Sequence, residues 1–395
     1  MVGRPAGYWW VAAVYFCGFG AMALVLPHLN QYLLGVGFSG VQVGNILAAS
    51  SLVGLVVAPL ASRVADRTGL HRRVLRLTLV VEGASLLGLG LRPGLLAVVL
   101  GTVGFRSSTG LDLALRDRLS LHWLGEHGST AYGSLRLWGS VSFAVLALGG
   151  GLLAEWSGPE LLFVLAALLI LAMVGLARVY TQRLPTQVAA LSDGRPDRRR
   201  GWPSPALVVI LLTTFLIYLG LAHYFGWNYN FIEHELGGGK GAVGLFSFLA
   251  ALFEVPVMLY ADGFMRRRGA ALALGVGMLV WAASWVLFSL AGTPAQALLL
   301  TLPMGVAQGF ALVAPTVYVG QISQPHNTAF NLSLMGVASS LGLMVGSPAA
   351  GWLFDNAGMR VMFRVGAGIL LLGVVALAVG TRLARQRAVS AQPTA

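Results

Sequence analysis

The sequence predicts an all-α membrane fold of twelve transmembrane helices, built as two parallel six-helix repeats. Three observations predict it. Apolar runs of 18 or more residues recur along the whole chain, each long enough to cross a hydrocarbon core of roughly 30 Å. The arginines gather in alternate connections between those runs. A single shift of 200 residues then lays the second half of the chain over the first.

Composition sets the class. Of 395 residues, 57% are hydrophobic and 10% charged, too little polar surface for a soluble chain of this length. The formal charge of +12 is not a nucleic-acid footprint, because the basic residues fall in connections between apolar spans instead of gathering on one folded face. Cys17 is the only cysteine and lies inside the first span, which excludes a disulfide framework and a CxxC metal centre. The chain has no HExxH, GxSxG or P-loop pattern, and His122 with His127 is too sparse for a metal site. No catalytic residue, metal or cofactor is therefore expected. The expected partners are a small-molecule substrate, protons and the lipid bilayer, with no nucleic acid, and the chain is expected to be a monomer.

The spans follow from apolar runs between charged or Gly/Pro-rich breaks. The first, near residues 8–33, lacks the small-residue pattern of a cleavage site and leads straight into further spans, so it is read as a helix and not a removed signal. The others of the first half lie near 40–62, 74–91, 94–122, 132–155 and 160–180. Residues 181–204 contain TQRLPTQ and SDGRPDRRRGWPSP, whose Pro, Gly and charge content suits a flexible linker. The second half places spans near 205–234, 241–264, 270–291, 295–322, 328–353 and 359–381. The expected domains are thus residues 1–180, the linker 181–204, residues 205–382 and a tail at 383–395.

Arg63, Arg67, Arg72, Arg73, Arg178, Arg183, Arg195, Arg198, Arg199, Arg200, Arg266, Arg267, Arg268, Arg382, Arg385 and Arg387 fall on one side of this scheme. Arg92, Lys240 and Arg360 fall on the other. Positive charge stays on the cytoplasmic side, so both termini are expected there, in an inner or plasma membrane.

The 200-residue offset holds at distant places without gaps. Gly20 meets Gly220, Asn30 meets Asn230, and Val43-Gly44 meets Val243-Gly244. Arg67 and Gly69 meet Arg267 and Gly269, and GLLAEWSGPELLF from Gly151 meets GWLFDNAGMRVMF from Gly351. Six spans separate equivalent points, so the halves share one topology, the parallel repeat of transporters with a central site.

The connection after the second span reads ASRVADRTGLHRRVL. It resembles the loop signature of the major facilitator superfamily, an Asp-Arg-x-Gly followed by a basic cluster, which implies a gating role for Asp66, Arg67, Gly69, Arg72 and Arg73. Ser62 stands where that superfamily usually has Gly, and Arg266 replaces the acid in the second copy. Three further stretches, YFCGFGAMALVLPHLNQYLLGVGFSGVQVG, AYGSLRLWGSVSF and ALFEVPVMLYADGFMRRRG, are similar to the branch holding lactose-permease-like, nucleoside and phenylpropionate proton symporters. By motif, that resemblance implies substrate contact for Arg136 and proton coupling for Glu254. The span-four acid of the lactose permease falls on Arg118, next to Asp117, and its span-ten His/Glu pair is absent, with Gln308 the nearest polar group.

Ionisable groups at depth cost about 2.5 to 3.5 kcal/mol each on insertion scales, so each needs a reason. Glu254 lies about 18 Å into its span at 1.5 Å per residue, and its repeat partner is Gly54, so the fold does not demand a carboxyl there. Glu82 and Arg106 lie at similar depth on adjacent spans and are read either as an ion pair or as groups that handle substrate and protons. Asp112 and Arg136 are read as facing each other, with Arg116 a competitor for the same carboxylate. Glu254, Asp112 and Glu82 are the proton-coupling candidates.

Span seven carries Tyr218, His223, Tyr224, Trp227, Asn228 and Asn230, suited to stacking on and hydrogen-bonding a ring-bearing solute, or to an aromatic belt at the membrane surface. Residues 223, 227 and 230 would share a helical face. With Arg136 and Arg106, the substrate-binding candidates are His223, Trp227, Asn228, Asn230, Asn30 and Gln308; Gln31 and Asn45 add weaker amides that could equally join helices.

The function expected is secondary active transport, proton-coupled uptake of a sugar, nucleoside or aromatic acid by alternating access. Two alternatives stand beside it: a proton-driven exporter, against which stands VLALGGGLLAEW with no Pro in span five, and a non-transporting membrane assembly factor or sensor.

Overall fold

A computed structural model of the chain describes residues 7–91, 94–127, 132–181, 204–324 and 327–390. Arg92, Arg183, Arg195, Arg198, Arg199 and Arg200, nearly all of the expected linker 181–204 and the end of the expected tail 383–395 lie outside them.

The described residues are helical, with no strand among them. The first sequence repeat supplies α1 (Tyr8–Val25), α2 (Leu29–Gly35), α3 (Gly40–Thr68), α4 (His71–Leu91), α5 (Leu95–Glu126), α6 (Tyr132–Ser157) and α7 (Pro159–Leu176). The second supplies α8 (Pro205–Leu221), α9 (Trp227–Asn230), α10 (Gly239–Arg268), α11 (Ala270–Leu290), α12 (Pro294–Leu299), α13 (Thr301–Ile322), α14 (Thr328–Ala357) and α15 (Met359–Ser390).

Ten of these helices or helix pairs are long and apolar enough to cross a membrane. The other two spans are α5, which carries a string of charged residues along its length, and the short apolar α8, continued by α9. Lipid is the solvent the outer surface requires: Leu77, Leu96, Leu372 and Trp156 are exposed, a pattern that a water-facing surface does not sustain over so many helices.

The chain forms two compact units. The first is Met1–Phe38, Ala49–Arg198 and Gly238–Phe248; the second is Ser39–Ala48, Arg199–Gly237 and Leu249–Ala395. In the first unit α1 packs on α6 and α7, and α4 on α5 and α7. In the second, α8 packs on α14 and α15, and α11 on α13 and α15, the same pattern one repeat later.

The repeated glycines explain how the start of α3 comes to belong to the second unit and the start of α10 to the first. A Cβ on Gly44 would lie 2.2 Å from the Ser347 carbonyl oxygen, and one on Gly351 2.0 Å from that of Gly40. A Cβ on Gly244 would lie 2.6 Å from the Ala147 carbonyl, and one on Gly151 2.6 Å from that of Lys240. Small residues at these crossings let backbone meet backbone, as helices do in lipid.

Two spans break at related places. The first stops at Val25, two residues ahead of Pro27, and resumes at Leu29; the seventh stops at Leu221 and resumes at Trp227 after Gly226, whose φ is +86°. His223 therefore lies in the turn and does not share a continuous helical face with Trp227 and Asn230, which corrects the spacing read from sequence.

Candidate solute and proton site

In the first unit, α5 presents Arg106, Thr109, Asp112, Arg116 and Asp117, and α4 brings Glu82 against it. Arg116 Nη2 donates to Asp112 Oδ2 at 2.8 Å, one helical turn away, and both side chains are almost fully buried. The competitor thus holds the carboxylate, and Arg136 is not paired with Asp112. Instead the Arg136 guanidinium lies 3.9 Å from the centre of the Phe19 ring, while Arg116 lies 5.2 Å from the same ring and 5.5 Å from that of Tyr15. Cation–π contact is the compensation the ring offers each of them. Gly18 makes room: a Cβ there would lie 1.9 Å from Arg116 Nη1.

Glu82 is 1% exposed and makes no ion pair with Arg106 or any other described residue. Its one hydrogen-bond partner among the described residues is the Thr109 hydroxyl, 3.3 Å from Oε1 and 2.8 Å from the Phe105 carbonyl. A hydroxyl has one proton, so it serves one of these acceptors at a time. Arg106 is half-buried and has no ion-pair partner among the described residues. The expected Glu82–Arg106 bridge is not formed because Glu82 turns to the hydroxyl on the next turn of α5.

In the second unit, Glu254 lies two residues before Pro256 within α10. Gln308 Nε2 of α13 donates to Glu254 Oε2 at 2.7 Å. Two glycines on α13 allow this approach: a Cβ on Gly305 would lie 2.8 Å from that of Phe253, and one on Gly309 2.7 Å from Val257 Cγ1.

The turn of the seventh span folds inward on protein. Trp227 is buried and meets Phe354 at 4.7 Å, and Tyr224 stacks on Trp285 at 4.8 Å with an interplanar angle of 6°. His223 Nδ1 lies 2.8 Å from the Leu219 carbonyl, and Asn228 Oδ1 accepts the Gly226 N–H at 3.0 Å. Asn230 is buried with both amide atoms unpartnered, and its repeat partner Asn30 is buried with Nδ2 unpartnered. Trp227 and Tyr224 form neither an exposed belt nor an open stacking face.

Asp66 gathers two partners on one oxygen: His71 Nε2 lies 2.9 Å from Oδ1, and Arg118 Nη1 donates to the same oxygen. Arg72 donates to the Tyr180 carbonyl at 2.9 Å, Gly69 takes φ +68° to turn the chain, and Arg67 and Arg73 are exposed. Sequence reasoning passed over Tyr15, whose hydroxyl donates to Asp117 at 2.7 Å, and the Thr109 hydroxyl. The signal for Arg116 with Asp112 was present as an i, i+4 pair of opposite charge.

The sequence profile of the MFS_1 like family matches residues 8–365. A maltose permease of Geobacillus stearothermophilus is 27% identical over 92% of this chain and 92% of its own length. A 2-nitroimidazole transporter of Escherichia coli strain K12 is also 27% identical, over 88% of this chain and 87% of its own. The crystal structure of the nucleoside transporter NupG superposes with a TM-score of 0.76 at 16% identity, covering 95% of this chain and 99% of that one. The chain belongs to the MFS_1 like family and is a multi-pass membrane transporter of the major facilitator superfamily.

Proposed function

We propose that the protein takes up a small organic solute together with protons by alternating access, with both termini in the cytoplasm and Glu254 as the coupling group. The observation that carries this reading is the 2.7 Å contact between Gln308 and Glu254 within the apolar span. An amide both donates and accepts, so Gln308 can serve a charged carboxylate through Nε2 and a protonated one through Oε1 after its amide turns over. Such a partner lets Glu254 change protonation state without losing its hydrogen bond. Moving one proton down 100 mV supplies about 2.3 kcal/mol, enough for roughly fifty-fold accumulation of a solute.

The first unit supports the same reading. Glu82 shares one hydroxyl, and among the described residues Glu82 and the half-buried Arg106 and Arg136 form no ion pair. Arg106 and Arg136 are suited to a polar or anionic part of the solute, and Asp66 with its Arg118 and His71 partners to gating. The solutes named for the relatives, maltose and 2-nitroimidazole, share small size and hydrogen-bonding edges.

The test is uptake of labelled sugars, nucleosides and aromatic acids into proteoliposomes. Accumulation that appears only with an inward proton gradient supports symport. Outward pumping under the opposite gradient, with no driven uptake of any compound, contradicts it.

A further inference from the structure

A cavity of about 240 Å³ opens in the second unit among α8, α13 and α14. Of the residues that line it only Tyr218 comes from the span-seven aromatics and amides named above, none belongs to the coupling or gating sets, and none carries a charge. Its polar groups are of three kinds. Thr214 is 2% exposed and its hydroxyl has no hydrogen-bond partner, whereas the adjacent Thr213 bonds back to the Val209 carbonyl at 2.8 Å, as helical threonines in lipid usually do. The Tyr218 hydroxyl, one turn on, makes no hydrogen bond among the described residues. Pro315 has no N–H to give to the carbonyl of Ala311, one turn earlier on the same wall, which leaves that oxygen without its helical donor.

Ser339 completes the set. Its hydroxyl proton goes to the Gly336 carbonyl at 2.8 Å, so toward the cavity it acts as an acceptor. Leu332 and Met335 make the rest of the wall apolar.

We infer that this cavity is a solute subsite for a neutral, ring-bearing compound with N–H or O–H donors, of the size of a nucleobase or a substituted phenol. A cavity of about 150 Å³ takes up benzene, so this one admits a ring with substituents or a fused pair. A ring lies flat against Leu332 and within reach of the Met335 sulfur. Its donors meet the Ala311 carbonyl and Ser339, and its acceptors meet Thr214 and Tyr218. A carboxylate would lose its hydration here with no cation to replace it, and a polyol would turn hydroxyls onto apolar wall.

The inference rests on the transport reading, because it names the class of solute, but it is tested without transport. Purified protein in detergent is titrated calorimetrically with uracil, adenine and phenol as neutral probes and with benzoate as an anion of similar size. Saturable binding of at least one neutral probe and none of benzoate is expected. Thr214→Val removes the hydroxyl at constant shape and should weaken binding about five- to ten-fold. Ser339→Phe fills the space and should abolish binding, with a melting curve to confirm that the variant is folded. Failure of all three neutral probes, or wild-type binding by folded Thr214→Val and Ser339→Phe, overturns the assignment. Gradient-driven uptake unaffected by both variants keeps the transport reading and discards the cavity; binding without any driven uptake does the reverse.

Discussion

Asp355 closes the start of α3: its Oδ1 accepts the Gly40 N–H at 2.8 Å and its Oδ2 the Val41 N–H at 2.9 Å. One repeat earlier in the sequence, Glu155 Oε1 accepts the Gly241 N–H at the start of α10 at 2.9 Å. The first N–H groups of a helix have no intrahelical acceptor and carry its positive end, so a carboxylate is the partner they favour. Asp355→Ala and Glu155→Ala should each cost about 1 kcal/mol, by analogy with helix caps, and Asp355→Asn less. The first contact lies in the second unit and the other in the first, so the double variant should show the sum in thermal melting. An unchanged melting temperature for both single variants would contradict this.

The glycine crossings make a sharper demand. Gly351→Ala drives a methyl group into the Gly40 carbonyl, where neither partner is a side chain that can turn away. A loss of about 1 to 3 kcal/mol is expected, as for overpacking elsewhere. Gly149→Ala on α6 is the control, since a Cβ there meets nothing within 4 Å. Equal melting temperatures for the two variants would show that the helices part freely.

The buried Asp112–Arg116 pair should behave as a unit. Asp112→Leu leaves the Arg116 cation without its carboxylate and should cost about 3 to 5 kcal/mol, most of which Asp112→Leu with Arg116→Met should restore. Thermal unfolding of the two single variants and the double variant reads the coupling directly. Additive losses would mean that the two side chains act independently.

Gln308 is predicted to matter through Glu254. Gln308→Leu removes the 2.7 Å hydrogen bond within the apolar span and should lower gradient-driven uptake about ten-fold, while solute exchange without a gradient falls far less. Equal losses in the two assays would make Gln308 a packing or binding residue instead.

Much of this was legible in the sequence because bilayer physics writes in long, repetitive signals. The runs around Tyr8, Gly40 and Met359 announced helices, and the constant offset that paired Gly44 with Gly244 and Gly151 with Gly351 announced the repeat, but not that these glycines sit where backbones cross. Side-chain partners were harder to read. Depth along a span puts Glu82 and Arg106 at one level, but rotation about the helix axis decides whether they meet, and Glu82 turns to Thr109. Arg136 lost Asp112 to a residue on Asp112's own helix, where an i, i+4 partner needs no tertiary alignment. The seventh span misled because one turn at Gly226 resets the helical phase that ties His223 to Trp227. The cavity at Thr214 left no signal beyond two adjacent threonines, since which of them bonds back to its helix is a matter of packing.

The measurement that bears most directly on the central claim compares wild type with Glu254→Gln in proteoliposomes, for a solute that wild type accumulates. Under an inward proton gradient the variant should lose accumulation, and without a gradient it should exchange internal for external solute at close to the wild-type rate. Gradient-driven accumulation by Glu254→Gln at the wild-type level would contradict the account and move the coupling proton to another carboxyl.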